Sequence, residues 1–548
     1  MSRATRVTTA TIVATLAVYA ALAYARRWIS DDGLIVVRTA RQILAGHGPV
    51  FNAHERAEAC TSPLWTWLVA GVAFVTRADV AHVAVALGGV LAVGGLAIAI
   101  DAARRRHRAR GWAGPIVPAG ALVIVALPPC WDFATSGLET GLVFAWLACV
   151  TWILVTPPSA WIAATVIGLG PLVRPELALV SIGFAIAAHR LARPSRRRAI
   201  ALACAAAALP LAYELFRAGY YGTLVPLPAL AKSAGGARWV RGAEYAADLF
   251  VPYLLFVPLG VFAIVARRAR RSITLVAITP VACALACALY IVRVGGDFMH
   301  ARLLLPALFL ALAPIAAAPL ERATAPGLAI VLAWAIAIAA WRGDGRRHTI
   351  AGKVGDERVA YVAHLGEANP IDDAPFIAAD APGSTLVADA LRAHRPALVY
   401  EAGWILPIDP ARTEPIVYVV GRLGTGGAVA PLDGLVVDTL GLANPLGARI
   451  TPFGTGGVGH EKQLPWWWTL ADVADPAHDD PSPVGGVPTA EIRAARRALT
   501  CGALAELRAS TRDPLTWSRF WDNVWGSWSR TTLEIPADAL DAERAFCD

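Results

Sequence analysis

The chain has 548 residues, of which 56% are apolar and only 16% charged, and its mean hydropathy is +0.52. Soluble proteins run at roughly 45–50% apolar and about 25% charged, so an ordinary soluble enzyme and a largely disordered chain are both excluded. The formal charge of +8 conceals a division, because residues 1–341 carry a net +16 and residues 342–548 a net −8. The basic excess lies between apolar segments, so it gives no indication of nucleic acid as a partner.

Crossing a bilayer takes about 20 apolar residues. Eleven stretches are read as spans, at about 8–26, 80–101, 112–128, 138–155, 159–173, 176–189, 199–217, 248–266, 272–293, 303–319 and 326–341. The shorter apolar segment 63–76 is read as a helix lying on or dipping into the outer surface, within a first outer loop of residues 28–79. This arrangement puts Arg3 and Arg6, Arg104–Arg110, Arg190–Arg198, Arg267–Arg271 and Arg322 on one side. Basic residues in short loops mark the cytoplasmic side. The expected protein is a polytopic α-helical protein of the plasma membrane, N-terminus cytoplasmic and C-terminal half extracytoplasmic. Ala23-Tyr24-Ala25 looks like a signal-peptide cleavage site, but the first span is read as an uncleaved anchor because of the polar motif that follows it.

The polar half, 342–548, has short β-like runs at Ala397–Tyr400, Pro415–Val420 and Leu435–Thr439, then a helix-like stretch, Thr489–Arg508. These predict a C-terminal mixed α/β domain with Gly/Pro-rich loops. Cys501 and Cys547 face outward, where a disulfide between them can persist. No Cys/His spacing suggests zinc, and no P-loop or dinucleotide fingerprint occurs.

Charges held against the membrane are costly, so each one needs a reason. Ser30-Asp31-Asp32-Gly33 opens the first loop directly after span 1. Two adjacent carboxylates in a sheltered site raise each other's pKa and serve as base, nucleophile or metal ligand; the same residues also make a good helix N-cap. Outward clusters recur at Glu139, at Arg174 and Glu176, at Tyr220, Tyr221 and Lys232, and at Asp297, His300 and Arg302. Singly these are anchors or ion pairs. Together they form a lining of cations and carboxylates on one side of the membrane, suited to a lipid-linked anionic donor.

Several longer motifs accompany these residues. Ser30-Asp31-Asp32-Gly33-Leu34-Ile35 continues through Gly48-Pro49-Val50-Phe51-Asn52 to Thr61-Ser62-Pro63-Leu64-Trp65; Gly295–His300, Asp438–Pro445 and Gly459–Lys462 follow. With an odd span count and an outer C-terminal domain, the chain resembles the GT-C superfamily of polyprenyl-phosphate-sugar glycosyltransferases, and more closely the arabinofuranosyltransferase AftB family. The resemblance implies a GT-C catalytic domain over 1–341 and an extracytoplasmic domain over 342–548. It implies decaprenylphosphoryl-β-D-arabinofuranose as donor and the non-reducing ends of arabinan, in arabinogalactan or lipoarabinomannan, as acceptor. The implied product is a terminal β-(1→2) linkage, formed with net retention, which a single in-line displacement does not give.

On that reading Asp31 is the principal catalytic carboxylate and Asp32 the second. Arg174 and Lys232 neutralise the donor phosphate; Glu176, Asp297, His300 and Arg302 complete the donor site, and Tyr220 and Tyr221 line the lipid-phosphate entrance. His460, Glu461, Trp466 and Trp467 hold acceptor sugars, with bilayer-interface packing of the tryptophans as the competing reading. No cofactor is required, although Asp31 and Asp32 are a potential divalent-cation site. The alternatives are another GT-C transferase, for mannose or a further sugar, and a lipid-linked-sugar transporter, whose internal repeats are not evident here.

Overall fold

The computed structural model describes residues 2–232, 236–268, 274–343, 354–452, 460–478 and 488–548. Among them, six helices are long and apolar enough to cross a membrane: Arg3–Ala25, Val80–Ala109, Pro175–Ala192, Arg196–Tyr220, Leu275–Val294 and Ala325–Arg342. The chain is accordingly a multi-pass membrane protein. Four other expected spans are shorter apolar helices, Thr140–Val155, Ala160–Val173, Phe256–Val265 and Arg302–Ile315. The expected span at 112–128 is not one continuous helix. Pro118 and Pro128 bound an eight-residue helix, Ala119–Ala126, and Ile116–Val117 pairs antiparallel with Ala318–Pro319. Proline has no N–H for a continuing helix, so the segment is broken into Ala119–Ala126 and Pro128–Ala134 and runs beside the first helix, from Ile116 bonded to Thr8 to Asp132 paired with Arg26. The Arg267–Arg271 side chains and Gly459 lie outside the described residues.

The polar half forms a four-stranded sheet in the spatial order Trp404–Leu406, Ala397–Tyr400, Ile416–Val420, Leu435–Asp438. The first pair is antiparallel and the other two are parallel. Side chains alternate across the strands, and both faces are covered. Ala397, Val399, Ile416, Tyr418, Val420 and Val436 join the core that runs into the helical half. Leu398, Tyr400, Val417, Val419, Leu435 and Val437 pack instead with Trp468, Ile492, Leu504 and Ala539 of the C-terminal helices. The expected helix over 489–508 is two helices, Thr489–Ala498 and Gly502–Arg512, divided at Cys501, which is disulfide-bonded to Cys547.

The first loop is the seam between the halves. Its helix, Asp31–Leu44, starts at Ser30, whose hydroxyl accepts the Gly33 N–H at 3.0 Å and donates to the Ser136 carbonyl at 3.1 Å. A Cβ at Gly33 would lie 2.5 Å from that carbonyl, so glycine is required for the helix to approach so closely. On the opposite face Arg38, 1% exposed, donates to five backbone carbonyls: Phe51, Gly427, Ala430, Pro431 and Gly434. The Asn52 side chain exchanges two hydrogen bonds with the Val436 backbone, at 2.9 and 3.0 Å, continuing the sheet beyond its last strand. Buried polar groups must be satisfied in this way, so these first-loop residues weld the outer sheet onto the helical bundle.

Candidate active site

A cavity of about 210 Å³ lies at the end of the bundle that meets the sheet. Each wall is set by a helix terminus. Asp32 sits in the first turn of Asp31–Leu44, Glu139 precedes the Thr140–Val155 helix, and Arg174 and Glu176 lie where a short helix gives way to Pro175–Ala192. Lys232 ends the short helix Leu227–Ala231, and Asp297 and Arg302 come from the loop after Leu275–Val294. All of these line the cavity, as do Arg241, Leu442 and Glu461.

Arg302 is the hub. Its Nη1 donates to Asp32 Oδ2 at 3.0 Å, and it lies 3.6 Å from Glu139 and 3.7 Å from Asp297. Arg174 bridges Glu139 and Glu176 by hydrogen bonds from its own guanidinium. The Lys232 ammonium is the least committed of the cavity cations, 3.8 Å from Asp297 and 31% exposed in its side chain. Burial pushes the Asp297 carboxyl up, but Lys232 and Arg302 outweigh burial and hold it below its ordinary value. Glu461 accepts hydrogen bonds from Arg238 and Arg241, closing the rim on the sheet side. Asp438 folds its loop through the Leu440 and Ala443 N–H groups, at 2.8 and 2.9 Å, and so brings Leu442 to the cavity wall.

The two adjacent aspartates part company. Asp31 turns away from the cavity and accepts the Gly424 N–H at 3.0 Å, and the Thr425 N–H and hydroxyl at 2.8 Å each. Burial, with a contribution from the Asp32 charge, nevertheless leaves its carboxyl above its ordinary value. The pair therefore does not converge on a shared cation position: Asp31 serves three protein donors, and Asp32 serves Arg302. Among the described residues, no group of three or more His, Cys, Asp or Glu is arranged to hold a metal ion.

A sequence model described as the AftB family C-terminal domain matches residues 405–544. Over 93% of its length the chain is 36% identical to a Mycobacterium tuberculosis protein named terminal β-(1→2)-arabinofuranosyltransferase, covering 92% of that relative. A Corynebacterium glutamicum protein of the same name is 32% identical over 95% of this chain and 85% of its own length. The chain belongs to the AftB family. As a member of the AftB family it is a glycosyltransferase. No solved structure matches it.

Not every residue expected in this AftB-family site reaches the cavity. His300 is buried among Asp248, bonded to its Nδ1, and the Tyr253 hydroxyl, 2.9 Å from its Nε2. Tyr220 stacks on Phe216, Tyr221 meets both rings edge-on, and the Tyr221 hydroxyl donates to the Pro49 carbonyl at 2.7 Å, fastening the first loop; neither tyrosine lines the cavity. Trp466 stacks on Tyr400 at 4.6 Å between ring centroids, and Trp467 donates to the Ala537 carbonyl, so both pack the outer sheet's far side. His460 lies against the Phe298 ring, whose loop adjoins the site. Glu357 was missed by sequence reasoning. It begins the helix Glu357–Leu365 after its cap Asp356, and one of its oxygens is buried without a hydrogen-bond partner. Burial, then Asp32 and Asp31, push its carboxyl well above its ordinary value. A lone Glu after an Asp cap in a polar stretch carries no sequence signal.

Proposed function

We propose that the chain transfers D-arabinofuranose from decaprenylphosphoryl-β-D-arabinofuranose to the non-reducing ends of arabinan, making terminal β-(1→2) linkages. The observation that carries this reading is the convergence of Asp32 with Arg302, Arg174 and Lys232 in a single cavity of an AftB-family chain. The cavity wall formed by Tyr290, Ile291 and Val294 belongs to a helix of spanning length, so a polyprenyl chain in the bilayer can present its phosphate there. Lys232, whose nearest carboxylate oxygen among the described residues lies beyond hydrogen-bond distance, meets that phosphate. The acceptor approaches from the sheet side, past Glu461 and Leu442.

Retention is accounted for by two displacements at the anomeric carbon. Asp32 attacks, the bond from that carbon to the phosphate oxygen breaks, and the electron pair leaves with polyprenyl phosphate. The acceptor 2-hydroxyl then displaces Asp32 and yields its proton to the polyprenyl phosphate released in the first step. In this scheme Asp31 is a positioning residue, because its oxygens are committed to Gly424 and Thr425. The membrane half adopts the GT-C arrangement in this reading, with the N-terminus cytoplasmic and the cavity and residues 342–548 outside.

The test is a membrane assay with synthetic polyprenyl-phosphoryl sugars and a short arabinan acceptor. Arabinose transfer is expected, with a β-(1→2) product; transfer of mannose without arabinose would overturn the substrate reading. For orientation, a membrane-impermeant thiol reagent should label a cysteine at Asp389 from outside only. Labelling only from the cytosolic side would reverse the topology.

A further inference from the structure

The helix Trp517–Thr532 has two unlike faces. Asn523, Ser527 and Arg530 are buried, while Trp517, Trp521, Trp525 and Trp528 are 80%, 44%, 81% and 70% exposed. At 100° per residue the four tryptophans fall within an arc of about 80°. Indole rings at such exposure, gathered on one face, mark a contact surface.

The buried face fixes where this helix sits. Asn523 donates to the Gly219 carbonyl at 3.0 Å, Arg530 donates to the Gly222 carbonyl at 3.0 Å, and a Cβ at Gly219 would strike the Phe520 ring. These contacts hold it against the last turn of the long apolar helix Arg196–Tyr220, at the same end of the bundle as the cavity. Leu211 and Leu215 on that helix are 65% and 46% exposed, as lipid-facing residues are. From Leu215 to Gly219 is four residues, about 6 Å of helix rise. The headgroup layer is roughly 5–8 Å thick on each side of the hydrocarbon core. The contact with the end of Arg196–Tyr220 therefore lies at headgroup depth, the layer in which indole rings concentrate because they are apolar with one N–H donor.

We propose that the Trp517–Thr532 helix is an interfacial anchor whose tryptophan face seats in the lipid headgroup layer and fixes the height of the outer sheet over the cavity. This rests on reading Arg196–Tyr220 as a span. The occupant is the bilayer itself; a polysaccharide stacked on the indoles is the competing occupant.

The full chain, with the exposed Cys204 changed to serine, is reconstituted in nanodiscs of phosphatidylcholine and phosphatidylglycerol. Nitroxide labels are placed at Trp525→Cys, Trp528→Cys, Ser529→Cys and Leu211→Cys, and their accessibility to oxygen is compared with that to a water-soluble nickel chelate. Oxygen should win at Trp525 and Trp528 and nickel at Ser529. Nickel winning at Trp525 and Trp528 while Leu211 stays nickel-protected overturns the anchor alone. Nickel access at Leu211 overturns the span on which the anchor rests. Nickel access at Trp525 that is lost on adding a soluble arabinan fragment overturns the bilayer as occupant. As a second variant, Trp525→Ser/Trp528→Ser should lose part of the fluorescence quenching that brominated lipids cause in the parent chain; undiminished quenching contradicts the proposal.

Discussion

Asp31 accepts two hydrogen bonds from Thr425, one from its backbone N–H and one from its hydroxyl, each at 2.8 Å, across 394 residues of chain. Asp32, the next residue, accepts from Arg302 in the cavity. One carboxylate of the pair thus joins the two halves of the molecule while the other faces the cavity. Successive residues at a helix N-terminus point about 100° apart, which is how adjacent aspartates come to serve different partners.

This division separates the two variants experimentally. Asp31→Asn turns one acceptor into a donor facing an N–H, which costs about 1–3 kcal/mol when buried. Gly424→Ala would place a Cβ 1.9 Å from the Asp31 carbonyl oxygen. Both should lower the thermal unfolding temperature of the detergent-solubilised protein. Asp32→Asn should leave that temperature near the wild-type value, since it keeps an acceptor for Arg302.

Lys232 should act through donor binding. A charge-assisted hydrogen bond to phosphate contributes about 1.5–3 kcal/mol. Lys232→Ala should therefore raise KM for the polyprenyl-phosphoryl donor by roughly ten- to a hundredfold, with little change for the acceptor. Lys232→Arg should recover most of the loss. Initial rates over a donor concentration series decide the matter.

Glu357 gives a contribution to stability that is lost as pH rises. Burial, Asp32 and Asp31 raise its carboxyl in the folded protein. The folded state therefore holds this proton more tightly than the unfolded chain, and that contribution to stability is lost as pH rises through the raised value. Glu357→Gln mimics the protonated form. It should be close to wild type in unfolding temperature at low pH and more stable than wild type above the folded pKa. Thermal melts across a pH series would show parallel curves if this account of Glu357 is mistaken.

Asp472 gives the opposite sign. Burial pushes its carboxyl up, but Arg512, Arg508 and Arg412 outweigh burial and hold it well below the usual range. Arg512 pairs with it at 2.7 Å and also reaches Glu55 in the first loop at 2.8 Å. Stability from this network is present above the ordinary carboxylate pKa of about 3.9 and is lost as pH falls toward the depressed folded value. Asp472→Asn leaves the half-buried Arg512 and the more exposed Arg508 short of a carboxylate and should cost about 1.5–3 kcal/mol at neutral pH. Its unfolding temperature should then vary less than the wild type's below pH ~4.

What the sequence reveals and what it hides follow from physical range. The long apolar helices and the buried parallel strands are legible because hydrophobic runs and β-branched residues are local signals. The segment 112–128 has the composition of one continuous helix, while Pro118 and Pro128 break it into the short helices Ala119–Ala126 and Pro128–Ala134. Arg38 carries a weak signal, an arginine among the apolar residues of an amphipathic helix, but its five carbonyl partners lie partly some 390 residues away. Asn52, within a motif that looks catalytic, is instead a docking residue for the Val436 backbone. The tryptophans of the polar half are divided in the same way: Trp466 and Trp467 pack the outer sheet, and Trp517, Trp521, Trp525 and Trp528 lie exposed on a helix whose neighbour in space is a membrane-length helix. Side-chain type announces that a residue is costly to place; only the fold says against what.

In the proposed reaction Asp32, and not Asp31, performs the transfer. The direct measurement is the initial rate of arabinofuranose transfer by purified Asp32→Asn protein whose unfolding temperature matches wild type. A loss of at least about a thousandfold is predicted, as for removal of a nucleophile. Transfer within a few-fold of wild type by this folded variant would contradict the account.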